Sequence, residues 1–148
     1  VARRDPGLML GYWKRADETK TAFSGEWFLT GDRARMTADG AIAYLGRADD
    51  VLTAGGFRVS PQEVETALLQ RADIVDAAVI EEEVRDGVRV IAAYYVPRGD
   101  IIDTTELDRH CAMTLARYKC PRVFHAVKSL PRNANGKLQR RRLKELKP

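Results

Sequence analysis

The chain has 148 residues, of which 45% are hydrophobic and 31% are charged, enough apolar material for one modest core and part of a second. This composition excludes a disordered protein, and no apolar run approaches the roughly 20 residues of a membrane-spanning helix. No signal peptide is recognisable, so we expect a cytoplasmic location. The first residue is Val1, and the stretch 3–7 reads like the interior of a longer protein, which predicts that the chain is a fragment.

Charge is distributed unevenly along the chain. Residues 1–116 hold 14 Lys and Arg against 20 Asp and Glu, whereas residues 117–148 hold 11 against 1. The basic tail fits a solvated helix end or the attraction of a phosphate-rich small molecule. It favours nucleic acid least, since it lacks interleaved aromatic residues and any accompanying motif. The spacings of the cysteines and histidines fit no zinc pattern, so we predict no metal ligand among Cys111, Cys120, His110 and His125.

The first predicted elements are short strands over 33–36 and 41–45, joined at Ala38-Asp39-Gly40 as a hairpin in which glycine allows positive φ. The polar, glycine-containing stretch 46–50 follows, and the pattern then changes to longer α and β units. We therefore predict a β-rich unit over residues 1–48 and a second domain over residues 49–148.

The second domain begins with a strong helix start, in which Ser60 can cap, Pro61 suits the first position and Glu63 completes a capping box. Runs 74–80 and 88–96 are rich in β-formers and are predicted to pair antiparallel. A second capping signal, Asp103 with Glu106, precedes apolar positions at helical spacing that we expect in the core, namely Leu107, Cys111, Leu115 and Tyr118.

A further strand over 123–127 and a short terminal helix complete the predicted domain, and three leucines can dock that helix, namely Leu138, Leu143 and Leu146. The predicted fold class is α+β, with an antiparallel sheet flanked by helices.

Three polar turns stand at the ends of apolar segments, where an anionic ligand can reach backbone N–H groups, a carboxylate and an ammonium. They are Thr30-Gly31-Asp32, the stretch 46–50 with sequence Gly-Arg-Ala-Asp-Asp, and the stretch 131–137 that ends in Gly136-Lys137. Each turn alone is weak evidence, because Thr-Gly-Asp is commonly only a turn and Gly-Lys here lacks the rest of a P-loop. The ordered set is the specific signal.

In this order and separation, the turns resemble the C-terminal third of the AMP-forming acyl-CoA synthetases, in the superfamily that also holds peptide-synthetase adenylation domains and luciferases. The resemblance runs from about Gly11 to the tail. It implies that residues 49–148 are a mobile C-terminal lid domain. Residues 1–48 would then end the large N-terminal domain, with the β-hairpin as a remnant of it.

The resemblance also implies roles for three residues around the predicted boundary. Asp32 matches the aspartate that accepts hydrogen bonds from both ribose hydroxyls of ATP, a role suited to a carboxylate with two acceptor oxygens. Arg47 matches an arginine near the ribose and phosphate. Asp49 matches the hinge, where a solvated polar residue can absorb a large backbone rotation.

Further along, Gly55 and Gly56 match a loop that approaches the phosphopantetheine arm of CoA in the second half-reaction, with Arg58 near phosphate. Alternatively, the two glycines only form a turn before the capped helix. Lys137 matches the lysine needed for adenylation, where an ammonium on a long stem can bridge the carboxylate and the α-phosphate of ATP.

The implied enzyme is a carboxylate–CoA ligase of organic-acid or fatty-acid metabolism. It would use ATP, giving AMP, with CoA and Mg²⁺, the metal being bound mainly by an N-terminal domain outside this chain. The expected partners are that domain, a carboxylic acid and CoA, with no nucleic acid and no membrane span. We expect the fragment to be inactive alone. Two alternatives stay open, a peptide-synthetase adenylation domain that serves a carrier protein and a non-catalytic binding module.

The chain departs from the family pattern after the strand that ends at Ile80. Relatives often have a Gly-x-Pro-Asp turn there, whereas this chain has Glu81-Glu82-Glu83. The resemblance therefore predicts nothing about the local contacts of these three glutamates.

Overall fold

A computed structural model of the chain describes residues 2–3 and 5–146. The chain forms two compact units, Val1–Asp49 and Asp50–Pro148. The assignment of residues 1–48 to a body domain and of residues 49–148 to a mobile lid stays a prediction.

The first unit contains short strands and one short helix. Its elements in chain order are β1 (Ala2–Arg3), α1 (Ala16–Thr21), β2 (Phe23–Ser24), β3 (Trp27–Phe28), β4 (Asp32–Met36) and β5 (Ile42–Arg47). Strands β1, β3 and β2 form one antiparallel sheet, and β4 pairs with β5 as the predicted hairpin. The turn between β4 and β5 is closed by a hydrogen bond from the N–H of Gly40 to the carbonyl of Thr37, 2.9 Å.

The second unit has a three-stranded sheet with helices. Its elements are β6 (Leu52–Ala54), β7 (Phe57–Val59), α2 (Pro61–Leu69), β8 (Ile74–Arg85), β9 (Val88–Pro97), α3 (Thr104–Thr114) and β10 (Val123–Ala126), with 3₁₀ segments at Arg117–Lys119 and Arg140–Leu146. The antiparallel pairing of β8 with β9 is confirmed, whereas β10 joins β9 in parallel, so the sheet has the order β10-β9-β8 and is mixed. The predicted α+β class is confirmed.

Side chains alternate between the two faces of this sheet along each strand, and both faces are covered. One face packs with α2, α3, β6 and β7, and its buried members include Val59, Leu68, Val79, Ile91, Tyr95 and Leu107. The opposite face packs with the chain's last segment, and its buried members are Ala78, Ile80, Ala92, Tyr94, Leu130 and Leu143. Two covered faces explain why the stretches 77–80 of β8 and 90–96 of β9 are continuous apolar runs.

The structure corrects one prediction about helix ends. Ser60 occupies the N-cap position of α2, but among the described residues its side chain makes no capping hydrogen bond to the helix. The Glu63 carboxylate pairs with the ammonium of Lys119. By contrast, Asp103 caps α3 as predicted, accepting from the N–H of Thr105 at 2.8 Å, which lowers the pKa of this aspartate.

Three predicted core or helix assignments also change. Tyr118 is not a core residue of α3, because the helix ends at Thr114 and Leu115 is already extended, which leaves Tyr118 in a 3₁₀ turn and 43% exposed. The terminal helix is a 3₁₀ segment in which Leu143 is buried and Leu146 is exposed. Strand β8 continues to Arg85, so the three glutamates lie in the strand itself.

Candidate functional site

Lys137 stands at the end of a tight turn whose backbone is held by one asparagine. The side-chain oxygen of Asn133 accepts from the N–H of Lys137 at 2.9 Å and from the N–H of Asn135 at 3.0 Å. The backbone N–H of Asn133 donates to the carbonyl of Lys137 at 2.9 Å. These bonds fix the main chain at Lys137 and leave its long side chain exposed.

The base of this turn is anchored to strand β8. Arg132 donates from Nη2 to Asp76 at 2.7 Å and from Nη1 to the carbonyl of Gly136 at 3.0 Å. Within residues 5–146, no ion pair of the Lys137 ammonium is found. The arrangement can present a mobile cation from a fixed backbone position, as a group that neutralises developing phosphoryl charge must do.

Asp32, Arg47 and Asp49 form one constellation in the first unit. Asp32 and Arg47 face each other across β4 and β5. Nη1 of Arg47 lies 3.4 Å from Oδ1 of Asp32 and donates to the carbonyl of Thr30 at 2.6 Å, while Nε donates to Oδ1 of Asp49 at 3.1 Å. The hydrogen bond and charge of Asp49, with a smaller contribution from Asp32, raise the pKa of Arg47.

Gly31 is the residue that lets Arg47 approach the chain this closely. Its φ is +74°, and a Cβ placed there would lie 2.8 Å from Nη2 of Arg47. Any larger residue would have to displace the guanidinium. The turn Thr30-Gly31-Asp32 therefore brings an acidic and a basic side chain together, each still partly open to solvent.

Gly55 and Gly56 form the turn between β6 and β7. Both have positive φ, +55° and +83°, and a Cβ added to either would meet nothing within 4 Å in the part of the chain that the structure describes. Two consecutive residues with positive φ are typical of a tight hairpin turn, so the turn geometry alone accounts for the two glycines and no ligand is needed to explain them. The open space above them also leaves the backbone accessible. Arg58 lies on β7 opposite Thr53 and is exposed.

The structure thus places the predicted residues in three groups. Asp32, Arg47 and Asp49 share one cluster of the first unit, whereas the hairpin with Gly55, Gly56 and Arg58 and the turn with Lys137 are separate features of the second unit. The roles assigned to all seven residues stay predictions.

Sequence reasoning missed two connecting residues. Arg140, three positions after Lys137, is paired bidentately with Glu65 of α2, and its Nε lies 3.5 Å from Asp50, the residue after the predicted hinge. Glu81 accepts the backbone N–H of Thr53 on β6. No sequence signal identified Arg140, because it stands in a basic run, and the sequence left the contacts of Glu81 open.

Among residues 2–3 and 5–146, no group of three or more His, Cys, Asp or Glu side chains is arranged to hold a metal ion. Within the same residues, every helix is too short or too polar to cross a membrane.

A small mixed sheet covered by two helices and a terminal segment matches the C-terminal domain of adenylate-forming enzymes. The family model "AMP-binding enzyme C-terminal domain" matches residues 63–137. The chain belongs to this family.

The relatives include CoA ligases and a peptide synthase. The chain is 41% identical to the 4-hydroxybenzoate–CoA/benzoate–CoA ligase of Rhodopseudomonas palustris, over 92% of this chain and 26% of the ligase. It is also 41% identical to a dimodular nonribosomal peptide synthase of Bacillus subtilis, over 93% of this chain and 6% of the synthase.

Solved structures agree with these relatives. The o-succinylbenzoate CoA synthetase of Bacillus subtilis, in complex with its acyl-adenylate intermediate, superimposes with a TM-score of 0.86 and 33% identity, over 96% of this chain and 29% of that chain. The chain thus spans less than a third of the length of the CoA ligases it matches.

Proposed function

We propose that this chain supplies the lid domain, and the last strands of the body domain, of an AMP-forming carboxylate–CoA ligase. The observation that carries the proposal is the presentation of Lys137, exposed on a turn whose backbone is fixed by Asn133 and anchored through Arg132. The similarity to CoA ligases over more than nine-tenths of the chain supports it. The enzyme would act in the cytoplasm on a carboxylic acid, with CoA and ATP as co-substrates.

In the first half-reaction, a carboxylate oxygen of the acid attacks the α-phosphorus of ATP, the bond to pyrophosphate breaks, and acyl-AMP forms. The Lys137 ammonium neutralises charge on the oxygens around the reacting phosphorus. Asp32 accepts from the ribose hydroxyls, and Arg47, already beside Asp32, faces the ribose and phosphate. Any magnesium ion that accompanies the triphosphate would be held outside the residues described here.

In the second half-reaction, the CoA thiol, as thiolate, attacks the acyl carbonyl, and AMP leaves. A rotation at Asp49 moves Lys137 away from the reacting groups and brings the turn at Gly55 and Gly56 to them. The open backbone of this turn can lie along the pantetheine arm, with Arg58 near phosphate. The two half-reactions therefore depend on different parts of this unit.

The experiment is to compare full-length protein with its Lys137→Ala variant in both half-reactions. Pyrophosphate release across a panel of carboxylic acids should fall roughly 100-fold in the variant, by analogy with the loss of one oxyanion-stabilising group. Thioester formation from supplied acyl-adenylate should be unchanged. Lys144→Ala is the matched control, since Lys144 is an exposed lysine of the same segment. Equal losses in both half-reactions would contradict the proposal.

A second candidate is an adenylation domain that passes its acyl group to a carrier protein. The 41% identity to the Bacillus subtilis peptide synthase favours it. Replacing CoA with a phosphopantetheinylated carrier protein in the thioester assay separates the two, because a CoA ligase should acylate CoA and leave the carrier unmodified.

A further inference from the structure

Glu81 and Glu82 are neighbours on β8, so their side chains leave the sheet on opposite faces. Val79 belongs to the core with β6 and β7, and Ile80 belongs to the opposite core. By this alternation, Glu81 lies on the face that carries the β6–β7 hairpin. Its carboxylate contacts strand β6, which leads into the glycine turn.

The carboxylate of Glu81 connects three strands. Its Oε2 accepts the backbone N–H of Thr53 on β6 at 3.1 Å, and its Oε1 accepts from Nη1 of Arg89 on β9 at 3.1 Å. The Glu81 side chain is 23% exposed, whereas that of Arg89 is 64% exposed. A half-buried carboxylate with both oxygens occupied is fixed in position, so it can orient the backbone that it binds.

Thr53 is close to the functional turn. It pairs with Arg58, and the next pair, Ala54 with Phe57, closes the turn at Gly55 and Gly56. The same turn borders an open groove lined by Thr53, Gly55, Glu81, Gly87, Val88 and Arg89. A shift of β6 against β8 would therefore move the glycine turn and this groove together.

The hairpin needs such a connection. Its strands have three residues each, and an isolated two-stranded hairpin of this length is marginally stable in water. Among the described residues, nothing lies within 4 Å of a Cβ placed on either glycine, so no side chain packs directly over these two residues. Besides the apolar side chains of Leu52 and Val59, Glu81 provides a directional bond between β6 and the sheet.

We propose that Glu81 is a positioning residue for the thioester half-reaction, holding the Gly55–Gly56 turn at a fixed height over the sheet. This inference rests on the proposed function, in which that turn receives the pantetheine arm. Because Lys137 lies on a different turn, the loss of Glu81 affects the second half-reaction and leaves adenylation unchanged.

The test compares Glu81→Ala, Glu81→Gln and the control Glu83→Ala in full-length protein. Glu83, two positions along β8 and 49% exposed, accepts from the N–H of Gly87 at 3.0 Å and lies 3.8 Å from Arg89, so it contacts the groove through β9 and its turn instead of through β6. With supplied acyl-adenylate, Glu81→Ala should lower kcat/KM for CoA about 10-fold, the loss expected for one charge-assisted hydrogen bond. Glu81→Gln should recover most of this, because its amide oxygen can still accept from Thr53. Pyrophosphate release should stay within about 2-fold in all three variants.

Hydrogen exchange of the Thr53 amide in the same proteins provides a measurement that does not depend on activity. Exchange should accelerate in Glu81→Ala, and should stay near the unmodified rate in Glu81→Gln and Glu83→Ala. Equal losses in the two half-reactions, an unchanged Thr53 exchange rate, or an effect of Glu83→Ala as large as that of Glu81→Ala would each overturn the positioning role. A protein that released no pyrophosphate with any acid would overturn the proposed function and the role with it, while exchange would still report the Thr53 bond.

Discussion

The two faces of the β8–β9–β10 sheet bury their polar groups in different ways. On the face covered by α2 and α3, the core is apolar, and the Tyr95 hydroxyl donates a hydrogen bond to the carbonyl of Ile102 at 3.2 Å. On the opposite face, Glu82 is 5% exposed and lies 3.1 Å from both the Tyr94 hydroxyl and Nε2 of His125. The face that receives the segment after Lys137 therefore has a polar cluster within its buried core, whereas the buried core of the helical face is apolar.

Arg140 connects the two faces at the edge of the sheet. It comes from the terminal segment on one face and pairs with Glu65 of α2 on the other. Between them lies Val79 of the edge strand β8, whose N–H donates to Glu65 at 2.8 Å and whose carbonyl accepts from Arg140 at 3.3 Å. The ion pair thus satisfies backbone groups that an edge strand would otherwise expose, and it orders the segment that carries Lys137.

The largest expected effect comes from removing this connection. Arg140→Ala leaves the Glu65 carboxylate, 12% exposed, without its partner, and should lower the free energy of unfolding by about 3 kcal/mol. Burial alone would lower the pKa of Arg140, but the hydrogen bonds and charge of Glu65 outweigh it and raise the pKa, which supports a charged pair. Urea denaturation followed by circular dichroism measures the loss.

Arg141→Ala is the matched control, since Arg141 is the exposed neighbour of Arg140 and should change stability by less than about 0.5 kcal/mol. Equal effects of the two substitutions would show that the connection between the faces contributes nothing. If Arg140→Ala does not fold, Arg140→Lys can be measured instead, because it keeps the charge without the bidentate geometry. Its loss in the free energy of unfolding should exceed that of the control and stay below that expected for the alanine variant.

Much of this fold could be predicted from local patterns. The Asp39-Gly40 turn, the apolar runs of β8 and β9 and the Asp103 cap each act within a few residues, so their chemistry is visible in the sequence. The two polar connections could not be found in this way. Glu82 meets a histidine 43 positions away, and Arg140 meets a glutamate 75 positions away. A glutamate run and a basic run both indicate solvent exposure, and only the fold shows which member is buried.

The candidate site follows the same division. The order of the motifs in the sequence marked Lys137, Asp32 and Arg47 as candidates, because each belongs to a polar turn motif of the sequence. Glu81 acts through a backbone N–H of another strand, and a backbone group has no sequence signature. The Ser60 side-chain cap, predicted from a local pattern, is not formed among the described residues, and Glu63 of the same pattern pairs with Lys119, 56 positions away.

An intermediate effect is expected from the polar cluster. Glu82→Leu removes the acceptor of the Tyr94 hydroxyl and leaves buried polar atoms unpaired, which should cost about 2 kcal/mol. Burial, with the charge of Glu82, raises the pKa of Tyr94, so the phenol stays protonated and able to donate. Tyr94→Phe removes the donor instead and should cost less. Denaturation of both variants in urea tests this order, and a stabilised Glu82→Leu protein would contradict the view that the cluster stabilises this face.

The smallest effect belongs to the helical face, at the exposed cap of α3. Asp103→Ala should destabilise the protein less than either change above, because it removes one hydrogen bond to the N–H of Thr105 in solvent. That bond and the Thr105 hydroxyl lower the pKa of Asp103 in the folded protein. The Asp103 carboxylate therefore stabilises the folded protein fully above the unfolded pKa of about 3.9, and this contribution is lost as the pH falls through the folded pKa. The stability gap between wild type and Asp103→Ala should therefore be widest near neutral pH and shrink below about pH 4.

Asp108→Ala, which removes an exposed aspartate of the same helix that does not cap it, should show a smaller gap. A gap for Asp103→Ala that stayed constant down to pH 2 would show that the uncharged cap works equally well.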